Sequence, residues 1–482
     1  MRTVSAVLAA AAAVAQDWGT AGSWQQVIPV PLTPGAPISS PPLAYSHASY
    51  VPGSLLLAGN TTSSSPNGNT DLWLFNAITQ QWTSPFDFIP ASSVRAPFIS
   101  SVGGTAVLVD ELAPNTIYTI DTSLPSGPWT AITALGAPAN RIAQRFLSWG
   151  STMFMFGGFD ITSQVNYNDL FAVSQTAVVA GQQNVPWIQV SPNAVAGVVP
   201  GYPPARVGYT WTSFTIGAIM MGGLSINNPD GSPAPGDPFA CVMSNPPPAS
   251  CFWHSHIWAF LPGTGSVKTA QGVPATAWVR LGQNAARGGA LPAGRIEHCA
   301  GNMGDQLYVY GGISANGPLN DLWAYNLVAQ TWAQVAPSSP SPSGRTGTFW
   351  STGVVLGHSF YVYETAPADP TTGARGAGSL WRWQPSAGGG FAPPAAAGAS
   401  SAVVAGHTAG IALTVMMCMA TLYIAVLLAQ NAGVALLPSS CGGALPSFGG
   451  GGAAKTSASG FYSSSTAPAA HDGYVAPPSG TL

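Results

Sequence analysis

Charge is what this chain has least of: Asp, Glu, Lys and Arg together make up 6% of 482 residues, and the net charge is −3. Surface helices need a charged or polar face to set against their apolar one, so so little charge argues against a helical bundle. The 13 Lys and Arg residues form no basic stripe that would neutralise phosphates, which excludes nucleic acid as a partner. Cysteine is scarce as well, with five in the chain and no CxxC or Cys/His spacing of a zinc site. No catalytic residue, metal ligand or cofactor site is assigned from motifs. What is abundant is Gly (57) and Pro (44), a composition for short strands, tight turns and loops.

The two ends read as targeting segments. Residues 1–15 carry one basic residue, Arg2, then a small-apolar run ending in Ala13-Val14-Ala15 before polar Gln16-Asp17, the layout of a cleavable secretory signal. Near the other end, residues 409–429 contain no charged side chain, and a helix of about 20 such residues spans a bilayer. The expected organisation is therefore a signal peptide at 1–15, a folded body at 16–392, a linker at 393–406, a transmembrane helix at 407–430 and a Gly/Ser/Ala/Pro tail at 431–482. A cleaved signal followed by a stop-transfer helix puts the body outside the cell or in a lumen.

Within the body one pattern recurs. Its clearest copy runs from Arg295 through Leu307-Tyr308-Val309-Tyr310 to Gly311-Gly312, then Asn320-Asp321-Leu322-Trp323, then Trp332. Alternation and turn residues make this four short strands. Copies with the same order follow Arg141 (Gly157-Gly158, Asp169, Trp187) and Arg206 (Gly222-Gly223, His256-Ile257-Trp258, Trp278). Weaker copies centre on Asp71-Leu72-Trp73 with Trp82, on Ile117-Tyr118 with Trp129, and on Leu380-Trp381, making six. Sixteen residues separate each of Arg141, Arg206 and Arg295 from the first Gly of its pair, whereas Glu111 stands sixteen after Arg95. The sixth copy lacks a fourth-strand Trp, and Trp24 near the N-terminus supplies a matching orphan strand.

The paired Gly, the Asn/Asp-Leu-Trp and the fourth-strand Trp resemble the Kelch family. That resemblance implies an all-β fold: a six-bladed Kelch-type β-propeller, here closed by an N-terminal strand and followed by one C-terminal transmembrane helix. It also implies a protein- or glycan-binding module, which the apolar segment at 407–430 would display from the membrane. Copper radical oxidases similar to galactose oxidase share this architecture and give the alternative, a secretory-pathway oxidase, but their copper-ligand pattern is not found in this chain.

Few residues stand out as candidate contacts. Arg95, Arg141, Arg206, Arg295 and Arg345 recur at one repeat position, either as a ring of guanidinium groups facing an anionic ligand or as ties from each blade to backbone carbonyls; periodic residues usually serve the period. His254 and His256 would share one side of an extended segment, two ligands without a third. Cys241 and Cys251 bracket a Pro-rich insertion at 227–251, the expected recognition loop, and would close a small disulfide in an oxidising compartment. Cys299 and Cys441 have no evident partner, and Cys418 lies in the apolar C-terminal segment. Asn60-Thr61-Thr62 is an N-glycosylation acceptor expected in a loop between the second and third strands of its copy.

Overall fold

The computed structural model describes residues 22–386 except 31–43, 52, 61–69, 87–97, 111, 124–127, 192–201, 215, 227–235, 245–246, 263–275, 286–289, 336–341, 343–351 and 366–377. The segments expected as signal peptide, linker, membrane helix and tail lie outside the described residues, as do Arg95, Arg345, Cys418 and Cys441. Among the described residues no helix is long and apolar enough to cross a membrane.

The strands group into antiparallel runs of four. The first is Ala44–Val51, Ser54–Asn60, Thr70–Asn76 and Gln81–Phe86. The second (Phe98–Val102, Thr105–Val109, Thr116–Asp121, Thr130–Leu135) and third (Arg145–Trp149, Thr152–Phe156, Leu170–Ser174, Val185–Ser191) join into one eight-stranded sheet. Only two parallel residue pairs, Val185 with Ala134 and Pro186 with Leu135, make that junction. The fourth is Thr210–Phe214, Gly217–Met221, Ile257–Pro262 and Thr276–Arg280. The fifth is Cys299–Met303, Gln306–Tyr310, Leu322–Asn326 and Thr331–Val335. The last takes Thr352–Leu356, Ser359–Glu364 and Ser379–Pro385 from the end of the body and Gly22–Val27 from its start, with Trp24 opposite Trp383. The fold is all-β and propeller-like.

Burial follows from this stacking. A sheet covered on both faces needs apolar residues at every position rather than at alternate ones. The second strands accordingly read as continuous buried runs, as in Gly217–Met221, Gln306–Tyr310 and Ser359–Glu364. The outermost strands keep one wet face: in Thr130–Leu135 buried Ile132 and Ala134 alternate with exposed neighbours. Apolar clusters fill the space between successive runs, and one of them joins Val27, Tyr361 and Leu380 of the last run to Leu55, Phe75 and Trp82 of the first.

The repeated tryptophans anchor those clusters. In four runs the outer-strand Trp meets an aromatic on the third strand, at ring-centroid distances of 5.0 Å for Phe75–Trp82, 4.8 Å for Phe260–Trp278, 5.0 Å for Tyr325–Trp332 and 5.5 Å for Trp24–Trp383. The closer partner is thus the residue two beyond the Leu-Trp motif, on the same strand face, since side chains alternate along a strand. The glycosylation acceptor is placed differently from expectation. Asn60 is the final residue of Ser54–Asn60, paired with both Ala44 and Thr70, because the strand pairing extends past the Leu-Leu-Leu-Ala-Gly core of the motif.

Gln25 accepts a hydrogen bond from the side chain of Arg382, 357 residues away, and its neighbour Trp24 packs into a cluster with the last run at 3% exposure. Trp24→Ala is expected to destabilise the chain by about 3–5 kcal/mol, as much as Trp332→Ala. Urea denaturation of both variants checks this, and a loss at Trp24 of under about 1 kcal/mol would show that the N-terminal strand is dispensable.

Candidate functional site

The three recurring arginines among the described residues tie backbone to backbone. Arg141, Arg206 and Arg295 are each at most 1% exposed. In all three the Nε donates to the carbonyl two residues back (Ala139, Pro204, Ala293) and Nη1 donates to the carbonyl sixteen residues ahead (Gly157, Gly222, Gly311) at 3.1, 2.8 and 2.9 Å. The sixteen-residue spacing is therefore the span of one hydrogen bond. In two repeats the guanidinium also grips a carboxylate with both prongs: Arg141 on Asp169 at 2.6 and 3.2 Å, Arg295 on Asp321 at 2.6 and 2.9 Å. The motif aspartates of these two repeats are thus the ionic partners of the arginines.

The Gly pair is needed at the same place. Gly158 has φ of +100°, and a Cβ there would sit 2.8 Å from the Arg141 side chain. Its N–H donates to the carbonyl of Arg206, as the Gly223 N–H does to that of Arg295. Each lock thus hands on to the next repeat through backbone. Beside them, Ile142, Val207 and Ile296 form single β-bridges with Phe159, Leu224 and Ile313, so a further apolar layer lies over this edge of three runs.

The insertion is built onto that layer. Leu224–Ile226 pairs with Cys251–Trp253 as its stem, and a short helix, α1 (Ala240–Met243), carries Cys241 into the apolar layer. Cys241 and Cys251 are joined in a disulfide, with Cys241 1% exposed. The Gly236 N–H of the insertion donates to Gln164 O of the third run's corresponding loop. Phe252, 51% exposed, and Ile161, 54% exposed, belong to these two loops and leave large apolar groups in water.

A charged group that the sequence reading missed spans three repeats on this edge. Arg145 Nη2 donates to Glu297 Oε2 at 2.7 Å, passing over Gly208, where a Cβ would lie 2.9 Å from Glu297 Oε1. Glu297 is buried with a φ of +50°, the same left-handed conformation that Ala143 and Gly208 hold two residues after their arginines. Burial pushes the Glu297 carboxyl up, and the Arg145 charge opposes that. The adjoining His298 shares a 2.7 Å hydrogen bond with Thr210 Oγ1, and burial holds its pKa well below the usual imidazole value. The available signal was a Glu and an Arg breaking the repeat in a chain so poor in charge.

The two candidate histidines lie close to each other. His254 is buried and shares a 2.9 Å hydrogen bond with Ser225 Oγ, while His256 is half-buried, their ring centroids 6.4 Å apart. Among the described residues no group of three or more His, Cys, Asp or Glu is placed to hold a metal ion. Burial, with help from Arg206, drives the His254 pKa well down; burial, Arg280 and Arg206 bring that of His256 to about 4. Cys299 is a buried free thiol, its pKa raised by burial and by Glu364 and Glu297.

Stacked four-stranded runs locked by Arg, Gly-Gly and Asp define a repeat protein of the propeller class. Residues 294–339 match the family model described as Kelch motif, which covers the clearest copy. The chain is also 24% identical, over 292 residues, to Kelch domain-containing protein 3 of Bos taurus and of Homo sapiens; the match covers 57% of this chain and 65% of each relative. The chain thus carries a Kelch motif and is similar to Kelch-repeat proteins.

Two outcomes follow for this site. Asp169→Asn, which leaves the Arg141 guanidinium buried without its counter-charge, is expected to cost about 3–5 kcal/mol in chemical denaturation, and a change below about 1 kcal/mol would deny the lock its role. The histidines set an acid limit. Their folded pKa values lie below the ordinary 6.5, so the unfolded chain binds more protons and stability, complete above pH 6.5, falls as pH drops towards about 4. His256→Gln should flatten the fall of Tm across that window, as a pH series of melting curves would show.

Proposed function

We propose that this chain is a protein-binding module: a closed ring of six Kelch blades that presents its insertion-bearing edge to a polypeptide partner. Six four-strand runs, with the N-terminal strand completing the last and an apolar cluster joining last to first, support the closed ring. The observation that carries the binding role is the extra apolar layer on one edge, on which a disulfide-pinned insertion exposes Phe252 next to a loop exposing Ile161. Exposed large apolar side chains on loops held by a rigid scaffold are a common basis of protein recognition.

The location belongs to the same proposal. A disulfide is kept in an oxidising compartment, so Cys241–Cys251 supports the reading of residues 1–15 as a secretory signal and of residues 407–430 as a membrane tether, with the body extracellular or lumenal. The chain spans 65% of the length of the curated relatives it matches, and their names carry no partner to transfer.

Cross-linking capture from cells displaying the full chain tests the binding role. Partners recovered with the wild-type chain should be lost, by about tenfold or more, with Phe252→Glu plus Ile161→Glu, two exposed substitutions that leave the locks intact. Undiminished recovery would place recognition elsewhere. Separately, the cell-derived chain should show the Cys241–Cys251 bond by non-reducing peptide mass mapping; free thiols at both positions would put the body in a reducing compartment.

A further inference from the structure

The fourth run departs from the lock in one respect. Where the third and fifth repeats place Asp169 and Asp321, it places His256, so Arg206 has no carboxylate. The rest of the lock is intact: Nε donates to Pro204 O and Nη1 to Gly222 O. Nη2, the prong that in Arg141 and Arg295 holds the second carboxylate oxygen, has no partner among the described residues, although Arg206 is 0% exposed.

We propose that the unmet donor of Arg206 is a latent site for one carboxylate group from outside the chain, closed in this conformation and reached when His256 moves aside, with the Arg280 charge nearby. The sister repeats fix the ligand class, because the same guanidinium at the same repeat position is closed by a planar two-oxygen anion in both. The surroundings agree in sign. Arg280 is exposed, on the strand residue opposite Trp258, and its charge is felt at both Arg206 and His256. Burial without a counter-charge pulls the Arg206 pKa down to about 9, and an arriving carboxylate would relieve that penalty. His256, half-buried and outside any strand, stands at the repeat position of the missing aspartate and feels both Arg206 and Arg280, so in this proposal it is the residue that yields. The latent site does not depend on the protein-binding role proposed for the apolar edge.

Thermal melting of the full chain in sodium acetate, against sodium chloride at equal ionic strength and at pH 7, tests this. Acetate at a hundredfold excess over its dissociation constant should raise the wild-type Tm by about 2–4 °C beyond chloride. His256→Asp supplies the missing carboxylate from within, as in the neighbouring repeats; it should raise Tm in chloride and abolish the acetate response. Arg280→Gln, an exposed substitution that leaves the lock untouched, should keep the fold and weaken half-saturation by acetate at least threefold, which decides the matter if His256→Asp does not fold. No acetate-specific shift in the wild-type chain, a shift matched by chloride, or a full response in both variants would overturn the proposal.

Discussion

One buried guanidinium in each of the third, fourth and fifth repeats holds the described loop edge of this protein together. A buried charge is costly unless it is paired and fully hydrogen-bonded, and a chain with so little charge has few to place. Arg141 and Arg295 meet that demand with a backbone carbonyl behind, another sixteen residues ahead and a two-pronged aspartate. The carbonyl ahead belongs to the first Gly of the pair, and the second Gly donates to the next arginine's own carbonyl, Gly158 to Arg206 and Gly223 to Arg295. Side chain and backbone thus alternate in a relay from repeat to repeat. That relay explains why the Arg, the two Gly and the Asp are retained together while the loops between them change length. A Cβ at Gly158 or Gly222 would strike an Arg side chain or an Arg carbonyl, so the pair cannot drift without breaking the relay.

The aromatic clusters do complementary work away from the loops. They fill the wedge between neighbouring sheets, and their geometry is set by alternation along the third strand: Trp323 and Tyr325 face one way, with Tyr325 on Trp332. In the third to fifth repeats the locks tie neighbouring sheets at one edge, while aromatics pack across the sheet faces. A linear array of such units would leave its first and last sheets with an uncovered apolar face. The packing of Val27, Tyr361 and Leu380 against Leu55 and Phe75 covers both at once, and a strand taken from the N-terminus completes the sheet that makes this possible.

What could be read from the sequence was what repeats. The sixteen-residue interval was visible because it is one hydrogen bond drawn three times, and the orphan strand at Trp24 was visible because five other copies defined what was missing from the sixth. The disulfide partners were suggested by the short loop they bracket. The Arg145–Glu297 ion pair was not legible, since it joins positions 152 residues apart across an intervening repeat and recurs nowhere. The apolar layer of Ile142, Val207 and Ile296 was hidden differently: these residues do recur, one after each arginine, but a single apolar residue in a loop carries no periodicity to read. Asn60 was placed one element out because the motif core ends before the strand does.

The positions where the repeat fails carry more functional information than those where it holds. A residue that serves the period is constrained by its copies, so Asp169 and Asp321 are accounted for once Arg141 and Arg295 are. His256 has no such account; it replaces an ion-pair partner with a group whose pKa falls to about 4, so that the neutral imidazole neighbours an unneutralised guanidinium at ordinary pH. Glu297 is a second failure of the same kind, a carboxylate on a left-handed residue at a repeat position where Gly208 stands one repeat earlier. Such a conformation in a non-glycine residue costs about 1 kcal/mol, and here it is held by the Arg145 ion pair and by the Glu297 N–H on Gly208 O. Both departures, and the disulfide-bearing insertion, fall on the loop edge of the third to fifth runs. The neighbouring repeats supply the rigidity there that lets single residues abandon the pattern, which makes that edge the part of the described molecule where the repeat is freest to change.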